Sequence, residues 1–266
     1  MFTKAIVCPP SSNFAAGLTT ATLGAPDHKL ALAQHEAYCA ALEQCGLALI
    51  RLAADCEFPD STFVEDTAIV TERGAIITRP GAPSRAGEVE SMRRLLSEHF
   101  PSLQAIRSPG TLDGGDVCEA GDHFFIGISD RTNESGAEQL AEALKSFGYT
   151  SSFVDIRRNR PVPAVPGVSL EILHLKSGIA YLGENRLAVI DSLASNQQFS
   201  AYELVRVEDS EAYAANCVRV NDNVLVAASS PMFESRLRDF DYRTIALDMS
   251  EFQKMDGGLS CLSVRW

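Results

Sequence analysis

The segment DVCEAGDHFFIG, residues Asp116–Gly127, carries the pattern on which the whole chain is built. Two predicted strands, Asp116–Glu119 and His123–Gly127, flank a turn at residues 120–122. Gly and Asp in that turn tolerate the positive φ that a tight hairpin needs. A helix is predicted at about Asn133–Phe147, because apolar residues recur there at helical spacing. The pattern is typical of a ββα unit.

The same order recurs along the chain. Further predicted strand pairs are Val64–Val70 with Ala75–Thr78, Ile179–Leu182 with Leu187–Ile190, and Cys217–Val220 with Val224–Ala227. Further predicted helices are about Gly87–Phe100 and Met232–Phe240, and an opening unit has a strand at Lys4–Cys8 and a helix from Asp27 to about Cys45. About five such units follow one another without a low-complexity linker. We therefore predict an α/β fold of one domain, residues 1–266, with its units around an axis.

The composition restricts the classes of function. The chain has 266 residues and a net charge of −12, which argues against nucleic acid and anionic membranes as partners but suits a small cationic substrate. No apolar run approaches the about 20 residues of a membrane span, and the N-terminus lacks a signal-peptide core. The seven cysteines show no disulfide framework, which predicts reduced thiols in a cytoplasmic protein. Metal-binding motifs and Gly-rich phosphate loops are missing too, so no metal or nucleotide cofactor is expected.

Acidic residues stand at the start of two units. Glu65 and Asp66 precede the apolar residues of a predicted strand, where no turn is needed to explain them. Burying a carboxylate is costly unless it is paired, so acids around an axis predict a cationic ligand. Asp113 and Asp116 flank two glycines at the equivalent place in the next unit, although turn formation explains that pair equally well.

Cys261 is the candidate nucleophile. It follows Gly257 and Gly258, which let the backbone pass close to a ligand, whereas no other cysteine has such a setting. The alternative is a buried structural thiol. A thiol near its reference pKa of about 8.5 is only a few per cent thiolate at neutral pH, so a catalytic cysteine needs positive charge nearby. A bound guanidinium would supply that charge.

His174 is the candidate base, and two arginines are candidate anion binders. His174 opens its unit where the acids open theirs, although a satisfied core histidine is the alternative. Arg85 and Arg131 both lie just before a predicted helix, where the helix dipole does not favour a cation. Arginine binds carboxylates through two hydrogen bonds, and simple surface solvation is the alternative. Acids for a cationic end and arginines for an anionic end describe a zwitterionic amino acid such as arginine.

These residues closely resemble the dimethylarginine dimethylaminohydrolase family of the guanidine-modifying pentein superfamily. The resemblance covers nearly the whole chain. The motifs that carry it are GLT (17–19), FPDS (58–61), FVED (63–66), IITRPG (76–81), PGT (109–111), LDGGD (112–116), RTN (131–133), LHLK (173–176), AANC (214–217) and DGGLSC (256–261). The resemblance implies a five-bladed α/β propeller of ββαβ units around a central active-site channel. It also implies hydrolysis of asymmetric dimethylarginine or monomethylarginine to citrulline plus dimethylamine or methylamine, through a covalent thiouronium on the cysteine.

The resemblance also implies a role for each site residue. By position, Cys261 is the nucleophile, His174 the general acid and base, and Asp113 its acid partner. The residues implied in substrate binding are Asp66 with Glu65 beside it for the guanidinium, Asp60 and the Leu18 carbonyl for the α-amino group, Arg85 and Arg131 for the α-carboxylate, and the Met255 carbonyl near the side chain. No metal is implied.

The chain departs from the family pattern at Arg157–Val168, which contains three prolines and is predicted to be an extended surface excursion. This segment could cover the site or add an interface, so the substrate is less well defined than the reaction. Arginine, citrulline or another substituted guanidine is the alternative substrate, and a non-catalytic propeller that binds an amino acid is the alternative function. The sequence leaves the oligomeric state open, with a homodimer as one candidate.

Overall fold

The computed structural model describes residues 1–157 and 172–266. The strands in these ranges are β1 (Lys4–Val7), β2 (Ala48–Arg51), β3 (Ala68–Thr71), β4 (Gly74–Ile77), β5 (Leu103–Ala105), β6 (Val117–Ala120), β7 (His123–Ile128), β8 (Thr150–Asp155), β9 (Ile179–Gly183), β10 (Arg186–Ile190), β11 (Glu203–Val207), β12 (Val218–Val220), β13 (Asn223–Ala227), β14 (Arg243–Leu247) and β15 (Val264–Arg265). The α-helices are α1 (His28–Gln44), α2 (Val89–His99), α3 (Glu134–Ser146), α4 (Pro231–Asp239) and α5 (Ser250–Gln253).

These strands form five sheets of three strands each, and every sheet has the same plan. An inner strand pairs antiparallel with a middle strand, as β3 does with β4, and the middle strand pairs parallel with an outer strand, here β5. A tight turn is enough to join the antiparallel pair, whereas the parallel pair needs a crossover connection. Helices α1 to α4 supply that crossover in four sheets, and between β10 and β11 the connection contains a 3₁₀ turn at Gln197–Phe199.

The two ends of the chain complete one sheet together. Strand β1 pairs parallel with β2 on one side and antiparallel with the last strand, β15, on the other. The Lys4 amide donates to the Trp266 carbonyl at 2.9 Å, and the Trp266 amide donates back at 3.1 Å. The five sheets thereby close into a ring, with β3, β6, β9, β12 and β15 on its inside. The predicted five-bladed α/β propeller is confirmed.

Local sequence signals explain where the helices lie. The predicted helix start at Asp27 is explained by a cap, since the Asp27 side chain accepts a hydrogen bond from the Leu30 amide at 3.0 Å. Gly46 follows that helix with a φ of 91°, a conformation that favours glycine. The apolar residues of α3 recur at helical spacing, as predicted, and the face that carries Ala137, Leu140 and Leu144 is fully buried against its own sheet.

Two predicted strand starts are wrong, at the same place in their units. Val64–Thr67 is a 3₁₀ turn rather than the first half of a strand, and Gly114–Asp116 is a 3₁₀ turn just before β6. In the turn at Val64–Thr67, the Thr67 hydroxyl donates a hydrogen bond to the backbone carbonyl of Val64 at 2.6 Å. Such bonds compete with strand pairing and favour a turn.

The predicted excursion at Arg157–Val168 falls almost entirely outside the described residues. Arg157 is described, and its guanidinium bonds to the carboxylates of Asp155 and Glu134. Among the helices that the structure describes, none combines the length and the apolar character needed to cross a membrane.

Candidate active site

Each of the five inner strands is preceded by a 3₁₀ turn, and these turns meet at one end of the channel. The turns are Val64–Thr67, Gly114–Asp116, Leu175–Ser177, Asp209–Ala215 and Ser260–Leu262. Because neighbouring inner strands contact one another around the axis, equivalent residues of distant units are brought together. The turns thereby place the imidazole, the thiol and two of the carboxylates at one site.

A narrow pocket opens between these turns. The residues that line it are Leu18, Asp60, Phe63, Asp66, Arg85, Arg131, Leu173, His174, Met255, Asp256, Gly257 and Cys261. Eight of the ten residues expected at the site are therefore in its wall. The other two, Glu65 and Asp113, do not line it.

Asp113 lies behind the imidazole of His174. Its Oδ2 is 3.1 Å from Nε2 of His174, and its Oδ1 accepts from the Gly81 amide at 2.7 Å. Asp113 is fully buried, so both carboxylate oxygens rely on these protein partners. This carboxylate therefore orients the imidazole ring.

The pKa of His174 is set by two opposing effects. Burial by itself lowers the pKa of the imidazole, but the negative charges of Asp66, Asp116 and Asp113 outweigh it and raise the pKa to about 9. The imidazole is thus predominantly an imidazolium at neutral pH. It can give a proton to a departing group.

Cys261 faces the same pocket, in an environment that disfavours its thiolate. Burial and the charges of Glu65 and Asp66 raise the pKa of the thiol to about 12. The Gly258 amide, 3.4 Å from the sulfur, acts in the opposite direction. A cation that enters the pocket would lower this pKa, because it stabilises the thiolate.

Asp66 is ionised and retains capacity for a ligand. Its Oδ2 accepts from Nη1 of Arg85 at 2.5 Å, and its Oδ1 accepts from the Gly115 amide at 2.8 Å. Burial raises the pKa of this carboxyl, but the charges of Arg85 and His174 prevail and lower it to about 2. Each carboxylate oxygen has a second lone pair, so Asp66 can accept two more hydrogen bonds from a planar cation.

Asp60 and Leu18 form a second polar corner. Both oxygens of Asp60 accept from the Leu18 amide, at 3.1 and 3.2 Å. Gly17 precedes this contact, and a Cβ at Gly17 would lie 2.4 Å from the Asp60 carboxylate. The Thr20 amide donates to Asp256 at 2.5 Å. The backbone of residues 18–20 is therefore bonded beside the pocket at two points, at Asp60 and at Asp256.

The two arginines differ in their environment. Arg85 is 5% exposed, and its guanidinium bonds to Asp66 and Glu88. Arg131 is only half-buried, and no described residue bonds to its guanidinium. Arg131 therefore keeps its donors for another anion.

Glu65 points away from the pocket. Its carboxylate accepts from Nζ of Lys176 at 2.5 Å and from the Ser260 hydroxyl at 2.8 Å. It borders a larger cavity of about 510 Å³ at the opposite end of the inner strands. Lys176 and Ser260 were not predicted as site residues, although each lies within two residues of a predicted catalytic group.

Asp116 is a structural neighbour of the site. Its carboxylate accepts from the hydroxyls of Ser129 and Thr132, at 2.6 and 2.7 Å, and from the Leu175 amide at 3.0 Å. These bonds hold the turn that precedes β9 next to the turn that precedes β6. Asp116 also supports the positive charge of His174.

Ligand atoms of Asp66, Asp113 and His174 lie within 4.8 Å of one another, a spacing that a metal ion could use. The hydrogen bonds from Arg85, Gly81 and Gly115 to these carboxylates already account for the cluster. The absence of a metal cofactor stays a prediction.

The chain is similar to a known family model and to known proteins. A family model described as arginine deiminase matches residues 56–159. The chain is 40% identical to the N(G),N(G)-dimethylarginine dimethylaminohydrolase of Pseudomonas aeruginosa over the full length of both, and 35% identical to that of Streptomyces coelicolor over 98% of this chain and 96% of the relative.

Solved structures agree with these matches. A Cys-to-Ser mutant of the Pseudomonas aeruginosa enzyme in complex with citrulline superimposes over 100% of both chains with a TM-score of 0.92 and 40% identity. The N-terminal domain of a cyanobacterial arginine dihydrolase has the same fold, with a TM-score of 0.83 and 17% identity over 98% of this chain and 96% of that one.

The five-bladed fold, with thiol, imidazole and carboxylates at one end of its channel, defines a guanidine-modifying enzyme of the pentein class. The full-length identities are more specific. The chain belongs to the N(G),N(G)-dimethylarginine dimethylaminohydrolase family, as its motifs predicted.

Proposed function

We propose that this protein hydrolyses Nω-methylated arginines, namely asymmetric dimethylarginine and monomethylarginine, to L-citrulline and dimethylamine or methylamine. The observation that carries the proposal is the presence of Cys261, His174 and Asp66 in one pocket, with Asp113 behind the imidazole. The family relationship supports it, since a relative that aligns with this chain over the full length of both has been solved with citrulline bound.

The charges of the pocket suit both ends of such a substrate. Asp66 accepts hydrogen bonds from the guanidinium. At the amino-acid end, Asp60 and the Leu18 carbonyl bind the α-amino group, and Arg85 and Arg131 bind the α-carboxylate. The Met255 carbonyl lies along the substrate side chain. Glu65, which is paired with Lys176, acts as a charge near Cys261 rather than as a direct substrate contact.

Substrate binding activates the nucleophile. The guanidinium brings a positive charge next to Cys261, which lowers the pKa of the thiol and releases its proton to solvent. The thiolate then bonds to the guanidinium carbon and gives a neutral tetrahedral adduct. His174, an imidazolium, protonates the methylated nitrogen, and the C–N bond breaks to release the amine. A cationic thiouronium remains on Cys261.

Water completes the reaction. Neutral His174 takes a proton from a water molecule, whose oxygen adds to the thiouronium carbon. The C–S bond then breaks, and citrulline leaves as the hydroxyl proton passes to solvent. Thiolate and imidazolium are restored together. General acid–base help of this kind contributes about 10²–10⁴-fold to the rate.

Arginine itself is the second candidate substrate, favoured by the match of residues 56–159 to the arginine deiminase model. Citrulline release by the purified protein, measured on asymmetric dimethylarginine, monomethylarginine and arginine, separates the two. We expect kcat/KM on the methylated forms to exceed that on arginine at least about tenfold. Equal or better turnover of arginine would assign the protein to arginine hydrolysis. Release of citrulline from none of the three would reject both.

The wider organisation belongs to the same proposal. We propose that residues 1–266 act as one catalytic domain, since both chain ends complete a single sheet of the ring. A homodimer and a cytoplasmic location stay predictions.

A further inference from the structure

Glu88 is a buried carboxylate that the reaction above does not use. It is 5% exposed and does not line the pocket. Both of its oxygens accept from Nε of Arg85, at 3.0 and 3.1 Å, and Oε2 also accepts from Nη2 at 2.7 Å. The carboxylate thus holds one whole edge of the Arg85 guanidinium.

Helix stability does not explain this arrangement. Glu88 occupies the N-cap position of α2, yet its side chain makes no capping hydrogen bond. Ser, Thr, Asp and Asn are the residues that cap well at this position. Burial costs the carboxylate enough to raise its pKa to about 7, despite the opposing charge of Arg85. An exposed polar residue at this position would stabilise the start of the helix without the free-energy cost of a buried carboxylate.

The contacts of Arg85 show what Glu88 achieves. A guanidinium has five N–H donors. Glu88 and the Phe63 carbonyl, 3.0 Å from Nη2, occupy the three on Nε and Nη2. Asp66 takes one of the two on Nη1. Among the described residues, the second N–H of Nη1 has no partner, and Arg85 is in the pocket wall.

We propose that Glu88 is a positioning residue, which orients the Arg85 guanidinium so that the remaining N–H of Nη1 meets the α-carboxylate of the substrate. This inference rests on the proposed function, because it assigns the amino-acid end of that substrate to Arg85. Glu88 acts through Arg85, and the bond from Arg85 to Asp66 remains when Glu88 is replaced, so the effect is expected mainly on ligands that carry the carboxylate.

The test compares two substrates and two positions. One substrate is monomethylarginine, and the other is its decarboxylated form. Glu88→Gln is expected to raise KM for monomethylarginine about tenfold, with kcat within about twofold, because a charge-assisted contact to Arg85 is lost. KM for the decarboxylated substrate stays within about twofold. In an Arg85→Gln background, Glu88→Gln produces no further rise, since the residue it positions is already gone.

Glu90→Gln is the matched control, because Glu90 lies exposed on the same helix. Thermal unfolding checks that each variant folds. If Glu88→Gln does not fold, Glu88→Asp carries the same expectation. Aspartate keeps the charge, but its side chain is one methylene shorter and no longer holds the edge of the Arg85 guanidinium. An equal rise in KM for both substrates, a further rise in the Arg85→Gln background, or a fall in KM would overturn the proposal.

Failure of the proposed function is distinguishable from failure of this inference. Calorimetric binding of L-citrulline and of its decarboxylated form to the same variants repeats the comparison without turnover. Carboxylate-dependent binding that Glu88→Gln weakens, in a protein that releases no citrulline, would retain the role of Glu88 and reject the hydrolase. Turnover by wild type with no effect of Glu88→Gln would do the reverse.

Discussion

The two ends of the central channel are built from the same strands but present different side chains. At one end, 3₁₀ turns bring Asp66, His174 and Cys261 into a narrow pocket. At the other end, hairpin turns border a cavity of about 510 Å³, whose rim holds exposed ion pairs such as Arg73 with Asp122 at 2.9 Å. The comparison shows that a short turn ahead of each inner strand, rather than the strand itself, concentrates the chemistry at one end.

Adjacent residues make the same point. Asp66 lies in the wall of the pocket, while Glu65 pairs with Lys176 and borders the opposite cavity. The ion pair of Glu65 with Lys176 and the hydrogen bond from Ser260 therefore lie between the two ends. These three side chains form a partition between the two ends. Its charges still act on the sulfur, since Glu65 raises and Lys176 lowers the pKa of Cys261.

Replacing the nucleophile should impair the pocket end of the channel most. Cys261→Ser should lower citrulline release from monomethylarginine by at least about 10³-fold, because a serine hydroxyl in this pocket is a far weaker nucleophile than a thiolate. Steady-state citrulline assays give the rate, and circular dichroism shows that the fold persists. Cys56→Ser, at an exposed cysteine, is the control and should retain full activity. Near-normal release by Cys261→Ser would defeat the catalytic assignment of this end of the channel.

A smaller effect is expected from the acid partner of the imidazole. Asp113→Asn should lower kcat about 10²-fold and move the alkaline limb of the kcat/KM profile to lower pH. His174 is charged below its pKa of about 9, and it must be charged to protonate the amine, so activity falls as pH rises through that value. Removing a negative charge lowers this pKa, which shifts the limb downward by about one pH unit.

Asp122→Asn, at the opposite end, is the control for that profile. It removes an exposed carboxylate of the same type, and it should leave the limb near pH 9. A limb that Asp113→Asn leaves in place would show that another group sets it.

A weak effect is expected from a change in the partition that Glu65, Lys176 and Ser260 form between the two ends. Glu65→Gln removes a negative charge that raises the pKa of Cys261. It also leaves Lys176, whose positive charge lowers that pKa, without its ion-pair partner. The thiol pKa should therefore fall by up to about one unit. The pH dependence of alkylation by iodoacetamide measures it. Glu119→Gln, which borders only the opposite cavity, should leave the thiol pKa unchanged. Equal shifts in both variants would mean that the partition does not separate the ends.

The repeat pattern predicted the ring because it depends on local physics. Alternating strands, turn residues such as Gly121 and the cap at Asp27 are recognisable without any long-range contact. The predicted strand starts at Val64 and Asp116 were wrong because both residues lie in 3₁₀ turns. A 3₁₀ turn is stabilised here by side-chain bonds, such as that of Thr67 to the Val64 carbonyl, which periodicity does not reveal.

The chemical groups of this protein are readable from its amino acids alone: a thiol after two glycines, a histidine, paired acids and arginines, in repeated units that a ring would bring together. The direction in which each side chain faces depends on the folded ring. Glu65 and Asp66 are neighbours in the chain, yet they border different cavities, and Glu88 became relevant only through its contact with Arg85. The physical reason is that burial, ion pairing and pKa depend on groups from remote units, which meet only when the ring has closed.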